Sequence, residues 1–251
     1  MKIGFVLLIF FTYSASAQQN SMNSLGWIVG SYNNTLNVSD KRTSNEQDEN
    51  EEEFDEDVQE ILEADVAAPY ATNLGLRYTF NTSIIRFYID YFSTTFSYTD
   101  PDENLDEEES ELYLNEYRGS MWIYTGLKSA FIISAASKDI PYLDLSEDET
   151  ELVMKKDKVS FASITLEQII VGSRMNSLGF RVKGDAISSG TRVKARQGGS
   201  VHLYYELEFD SFRLNLEFGG SQHYYDVTHD ELDFQTTSKS MGGNLLIDIK
   251  F

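Results

Sequence analysis

From Leu25 to Phe251 apolar and polar residues alternate with a period of two, and helical spacing is scarce. Tyr70, Thr72, Leu74, Leu76, Tyr78 and Phe80 share one side of a strand, against Ala71, Asn73, Gly75, Arg77 and Thr79. Ile85, Phe87, Ile89 and Tyr91 alternate with Arg86, Tyr88 and Asp90. Val201, Leu203, Tyr205, Leu207 and Phe209 oppose His202, Tyr204, Glu206 and Glu208, and Phe212, Leu214, Leu216 and Phe218 oppose Arg213, Asn215 and Glu217. Tight connections fall near 81–83, 128–130, 175–177 and 210–211. Long polar ones cover about 40–68, 100–111, 143–158, 187–200 and 226–236. Between them lie ten expected strands, roughly 24–39, 69–80, 84–99, 112–127, 131–142, 159–174, 178–186, 201–209, 212–225 and 237–251.

An even strand count, with short turns at one end and long loops at the other, is the layout of a transmembrane barrel. The fold class expected is all-β: one transmembrane antiparallel up-and-down β-barrel of about ten strands, with eight or twelve as alternatives. A soluble sandwich also alternates, but nothing in it requires long and short connections to take turns. Two segments have mixed faces. In 159–174, Ile164, Leu166 and Ile170 oppose Phe161, Ile169 and Val171, with Glu167 interrupting, so no outward side can be assigned; Trp27, Ile28 and Val29 are similarly mixed.

The N-terminus changes the compartment. Lys2, an apolar run over 4–12, and Ala15 and Ala17 flanking Ser16 read as a signal peptide over 1–17, too short for a spanning helix. Residues 18–251 then form the barrel domain. The chain has no cysteine, so disulfides and a lipidated cysteine are excluded. Net charge is −21, and loss of Lys2 on cleavage makes it −22. Twelve acids lie between Glu46 and Asp65 and eight between Asp100 and Glu111, so the loops 40–68 and 100–111 are strongly acidic and repel nucleic acid.

The chain closes on "NLLIDIKF", with Leu245, Ile247, Ile249 and Phe251 on one side. This resembles the C-terminal signature of Gram-negative bacterial outer-membrane β-barrel proteins, with no subfamily indicated. The resemblance implies outer-membrane lipid and the outer-membrane assembly machinery as partners. It also implies both termini in the periplasm, long loops outside the cell, and an otherwise unknown extracellular partner. A monomer is expected.

The opposite side of the strands is charged with both signs. Arg77, Arg86, Asp90, Glu116, Arg118, Arg181, Lys183, Asp185, Glu206, Glu208, Arg213 and Glu217 are expected to face the lumen. Turn geometry places Glu208 opposite Arg213, Glu206 opposite Asn215, and Arg77 opposite Tyr88 with Asp90 diagonal to it. A barrel of this size is nearly filled by its own side chains, which favours a salt-bridged plug over a narrow solute path.

Catalytic and metal signals are weak. Ten-stranded barrels include the omptin proteases, with a paired-Asp plus Asp–His arrangement at the outer rim. "YDVTHDELDF" offers Asp226, His229 and Asp230 without the Asp-x-His spacing, and His229 reads as a solvated loop residue. His202 and His223 face inward about four residues apart along adjacent strands, too far for one metal. Asp100, Asp102, Asn104, Asp106 and Glu111 fit positions 1, 3, 5, 7 and 12 of a Ca²⁺ loop, but Leu105 stands where glycine is wanted. Weak divalent-cation association along the acidic loops is the better expectation, with no other cofactor. Val58, Ile61, Leu62 and Val66 have helical spacing and suggest a short amphipathic turn over the barrel mouth.

Three function classes follow. The first is a non-enzymatic surface barrel whose acidic loops serve envelope structure, cation binding or partner contact. The second is a narrow porin-like channel for small solutes. The third is an omptin-like rim hydrolase.

Overall fold

Each run of alternation becomes a strand, because a period of two gives an extended chain one apolar and one polar face. A computed structural model of the chain describes residues 23–40, 65–81, 85–99, 105, 110–145, 152–173, 176–187, 190–229 and 232–251. The strands are β1 (Ser24–Asp40), β2 (Asp65–Asn81), β3 (Ile85–Ser97), β4 (Glu111–Tyr124), β5 (Ser129–Leu145), β6 (Leu152–Ser173), β7 (Asn176–Ile187), β8 (Val193–Glu208), β9 (Phe212–His229) and β10 (Leu232–Lys250). The signal peptide expected over 1–17 lies outside the described residues, as do most of the two acidic loops.

Every strand pairs antiparallel with its chain neighbours, and β10 closes on β1, from Ser24 against Lys250 to Asp40 against Phe234. The sheet is a closed ten-stranded barrel, so no ladder edge is left to pair with another chain. The Phe251 N–H donates to Asn23 O at 2.9 Å and carries the closure to the last residue.

The outside is apolar. Val29, Leu74, Ile89, Ile133, Leu166, Leu203, Leu216 and Ile247 are all exposed on it, whereas their sequence neighbours Ile28, Asn73, Asp90, Ser134, Thr165, Tyr204, Asn215 and Asp248 are buried inside. In water such a belt would forfeit roughly 25 cal/mol per Å² of apolar area, a cost that hydrocarbon removes. The mixed faces of 159–174 are resolved by a bulge. Pairing of β6 with β7 shifts between Ile169 and Val171, so Ile164, Leu166, Ile170 and Val171 are all exposed while Phe161, Glu167 and Ile169 face in. The turn beyond it uses Gly172 at φ +97°, a conformation that side-chain-bearing residues rarely adopt. In β1, Trp27 and Val29 face out and Ile28 in.

Several boundaries differ from expectation. The connection expected over 143–158 is mostly strand, since β5 runs to Leu145 and β6 starts at Leu152; that over 187–200 is replaced by β8 from Val193. The connection expected over 226–236 shrinks to 230–231, which puts Asp226 and His229 in β9 rather than in a loop. The β8–β9 and β9–β10 ladders thereby run further toward the end of the long connections, up to Val193 against Val227 and Leu232 against His229. Val66, assigned to an amphipathic turn, is a fully buried residue of β2; Val58, Ile61 and Leu62 lie outside the described residues.

Candidate functional site

In the interior the strands bring charged groups of both signs together, in three layers. At the base, Arg213 of β9 donates through Nε to Asp248 Oδ2 of β10 at 2.8 Å, and its Nη2 meets the same oxygen. The two side chains are 4% and 0% exposed. Gly26 of β1 stands opposite Asp248, and a Cβ there would overlap the carboxylate, so glycine makes room for the pair. Beside it Arg77 forms a bidentate pair with Asp90, Nε to Oδ1 at 2.7 Å and Nη2 to Oδ2 at 3.0 Å. The Arg77 guanidinium also lies 4.7 Å from the Tyr88 ring centre. Arg86 donates to Tyr88 Oη at 3.2 Å, Glu206 accepts from Asn215 at 3.0 Å, and Glu208 meets Lys250 at 2.8 Å.

Expectation and structure differ here on one register. Arg77 stands directly opposite Asp90 and Thr79 opposite Tyr88, two residues away from the pairing expected across the 82–83 turn. The shift places the guanidinium and carboxylate face to face, which the diagonal arrangement does not. Across the 210–211 turn the pairs are Glu206 with Asn215 and Glu208 with Arg213.

The middle layer is a polar cavity of about 260 Å³. Arg181 spans it, donating to Glu167 at 2.8 Å and to Glu217 at 2.9 Å, between the rings of Trp122 (5.0 Å) and Tyr204 (4.2 Å). His202 Nδ1 lies 3.4 Å from Glu217, and Asp185 meets both Lys183 and His223 Nε2 at 3.0 Å. Arg118 pairs with Glu116, with Lys138 3.9 Å from the same carboxylate. Around these the wall is lined by hydroxyls and amides that bond one another: Ser120 with Ser134 at 2.9 Å, Ser221 with Ser240 at 2.7 Å, Asn34 to Ser238 and Asn73 to Asn244 at 3.0 Å.

The mouth, at the end of the long connections, is apolar. One buried cluster joins Leu36, Val66, Phe96, Leu114 and Phe234 from β1, β2, β3, β4 and β10, with Tyr98 just past β3, to Leu143, Leu152 and Met154. A second joins Val193, Tyr225 and Val227 from β8 and β9 to Ile140, Tyr142, Val159 and Phe161.

Every one of the twelve charged residues expected inside thus stands against a polar or charged partner. Lys138 and Glu167 are members that sequence reasoning missed. Glu167 was obscured by the bulge three residues later, and Lys138 lies within the expected strand 131–142, whose faces were not assigned. The two histidines sit four residues apart, His202 opposite Gly219 and His223 opposite Gly198. Among the described residues no group of three or more His, Asp or Glu could hold a metal. Asp100, Asp102, Asn104 and Asp106 lie outside the described residues, and Glu111 is an exposed residue opening β4. Asp226 is buried, and His229 is the last residue of β9. Of the terminal signature, Ile247, Ile249 and Phe251 are exposed and Leu245 is half-buried on the same side.

No family model and no curated protein sequence matches the chain. Among solved structures, the outer membrane protease OmpT from Escherichia coli is similar with a TM-score of 0.50 at 10% identity, over 96% of this chain and 100% of that one. The translocator domain of the autotransporter NalP from Neisseria meningitidis gives 0.42 at 7% identity, over 100% and 95%. A Pseudomonas aeruginosa FadL homologue gives 0.34 at 6%, over 92% and 90%. Identities this low speak to fold alone. Closed by β10 on β1, with an apolar exterior and a charged interior, the chain has the fold of the Gram-negative outer-membrane β-barrels.

Proposed function

We propose that this is a non-enzymatic outer-membrane barrel with a sealed interior. Its work is done at the outer surface, where the acidic connections between β1 and β2 and between β3 and β4, shorter at their ends than the expected 40–68 and 100–111 because Asp40, 65–68 and Glu111 are in strands, serve envelope structure or meet divalent cations or an extracellular partner. The observation that carries this reading is the double closure of the interior. The base is crossed by the Arg213–Asp248 and Arg77–Asp90 pairs, and the mouth is filled by two buried apolar clusters. A conducting path would have to part both, and separating a buried ion pair leaves two uncompensated charges. In this reading both termini are periplasmic and the long connections extracellular. That orientation puts the acidic runs where divalent cations relieve carboxylate repulsion.

Planar bilayers test the reading. The reconstituted full-length chain is expected to stay silent at moderate voltage, and stepwise current would replace this reading with a narrow porin-like channel. Substituting Asp226 and His229 addresses rim hydrolysis: a peptide- or lipid-cleaving activity lost with either residue would overturn the non-enzymatic part.

A further inference from the structure

The β5–β6 hairpin does not stay in the wall. Pairing of β4 with β5 stops at Glu116 against Lys138, and pairing of β6 with β7 stops at Phe161 against Ile187, while β5 and β6 remain paired with each other up to Leu145 against Leu152. The departure is written in the sequence. The Asp139 carboxylate takes the Asn115 N–H at 3.0 Å, a donor the ladder would otherwise use, and Pro141 has no N–H to offer a neighbouring strand.

Beyond that point β5 is buried on both faces from Asp139 to Asp144, as is β6 from Leu152 to Met154, while Lys155, Lys156, Lys158 and Ser160 of β6 are exposed. Ile140, Tyr142, Val159 and Phe161 belong to one side of the paired strands and join the β8–β9 cluster. Leu143, Leu152 and Met154 belong to the other and join the cluster of β1–β4 and β10. A two-stranded arm that contributes opposite faces to opposite halves of the mouth stands across it.

The arm is fastened by a few polar contacts rather than by ladders to both neighbours. Asp157 Oδ2 accepts from Arg192 N at 2.7 Å and from Val193 N at 2.9 Å, with Gly190 leaving room for the carboxylate. Tyr225 Oη donates to Pro141 O at 2.6 Å, and Lys156 Nζ donates to Tyr113 O at 2.6 Å. Beneath it lies the polar cavity, and beneath that the ion-paired base. We propose that residues 139–145 and 152–160 form a hinged lid, latched by Asp157, whose opening admits water and small polar solutes to the chamber from the mouth side while the base stays shut. This goes beyond the sealed-barrel reading, since it describes access to a blind chamber rather than passage.

The chain has no cysteine, so single introduced thiols report without background. Ser200→Cys places one in the chamber wall, and Thr79→Cys places one, fully buried, at the base. The full-length barrel in vesicles is treated with a membrane-impermeant maleimide, with exposed Ser39→Cys setting the unhindered rate. With the latch intact, Ser200→Cys should label far more slowly than Ser39→Cys. Asp157→Ala removes a charged acceptor from two backbone donors and should speed labelling of Ser200→Cys about tenfold or more, leaving Thr79→Cys unchanged. Tyr225→Phe, which keeps the ring and removes only the hydroxyl, should act in the same direction with a smaller gain. The lid is refuted if Ser200→Cys labels as fast as Ser39→Cys with the latch intact, or if neither latch variant changes its rate. Equal acceleration of Thr79→Cys also overturns it, because the whole barrel has then loosened. Bilayer current answers separately: a silent barrel with an accelerated chamber thiol supports both readings, and current without acceleration rejects both.

Discussion

Arg213→Met gives the sharpest test of how the base is held. Both side chains of the Arg213–Asp248 pair are essentially inaccessible, and Asp248 Oδ1 has no hydrogen-bond partner among the described residues. Removing the guanidinium therefore leaves a carboxylate in a sealed position with its only donor gone. Breaking one side of a buried pair typically costs about 3–5 kcal/mol. Replacing both members by apolar side chains removes the stranded charge as well, so Arg213→Met with Asp248→Leu should recover most of that loss. The assay is urea unfolding in phospholipid vesicles followed by tryptophan fluorescence. Trp27 on the outside and Trp122 inside report on the two faces of the wall. A loss below about 1 kcal/mol for Arg213→Met, or a double variant as unstable as the sum of the singles, would refute the reasoning.

Three further outcomes are expected. Gly26→Val puts a side chain where the Asp248 carboxylate lies and should destabilise the barrel by about 1–3 kcal/mol in the same unfolding assay. Leu203→Arg charges the apolar exterior and should cost about 2–4 kcal/mol in vesicles, whereas exposed Ser39→Arg, near the end of β1 at the mouth, should be close to neutral. Phe251→Ser should leave refolding in detergent nearly unchanged, because the Phe251 N–H bond to Asn23 is a backbone contact, yet lower the yield of assembled barrel in cells, measured by heat-dependent gel mobility.

The strand count and the orientation of most faces were legible because period-two alternation is a direct consequence of a wall with unlike sides. What escaped the sequence follows from where that rule weakens. The stretches "KKDK" at 155–158 and "VKARQGGS" at 193–200 read as loop because neither has an apolar outer face, although the β5–β6 ladder runs through the first and the β8–β9 ladder through the second. The bulge at Ile169–Val171 inverts the alternation, which hid Glu167 as the partner of Arg181. The β2–β3 register was set by assuming the tightest turn, whereas facing Arg77 with Asp90 shifts it by two. The apolar mouth was invisible for a different reason. Its clusters join residues from nine strands, and nothing local in Leu36, Phe96 or Tyr225 announces that a hairpin will cross between them.

A membrane barrel is defined by which side of its wall meets hydrocarbon, and the two tryptophans report it directly. Trp27 faces out, 42% exposed, and Trp122 faces in, 8% exposed. With Trp122→Phe and Trp27→Phe variants reconstituted in vesicles of brominated phospholipid, the remaining Trp27 should be strongly quenched and the remaining Trp122 scarcely affected. Equal quenching of both, or quenching of Trp122 alone, would contradict the assignment of an apolar outside and a charged inside.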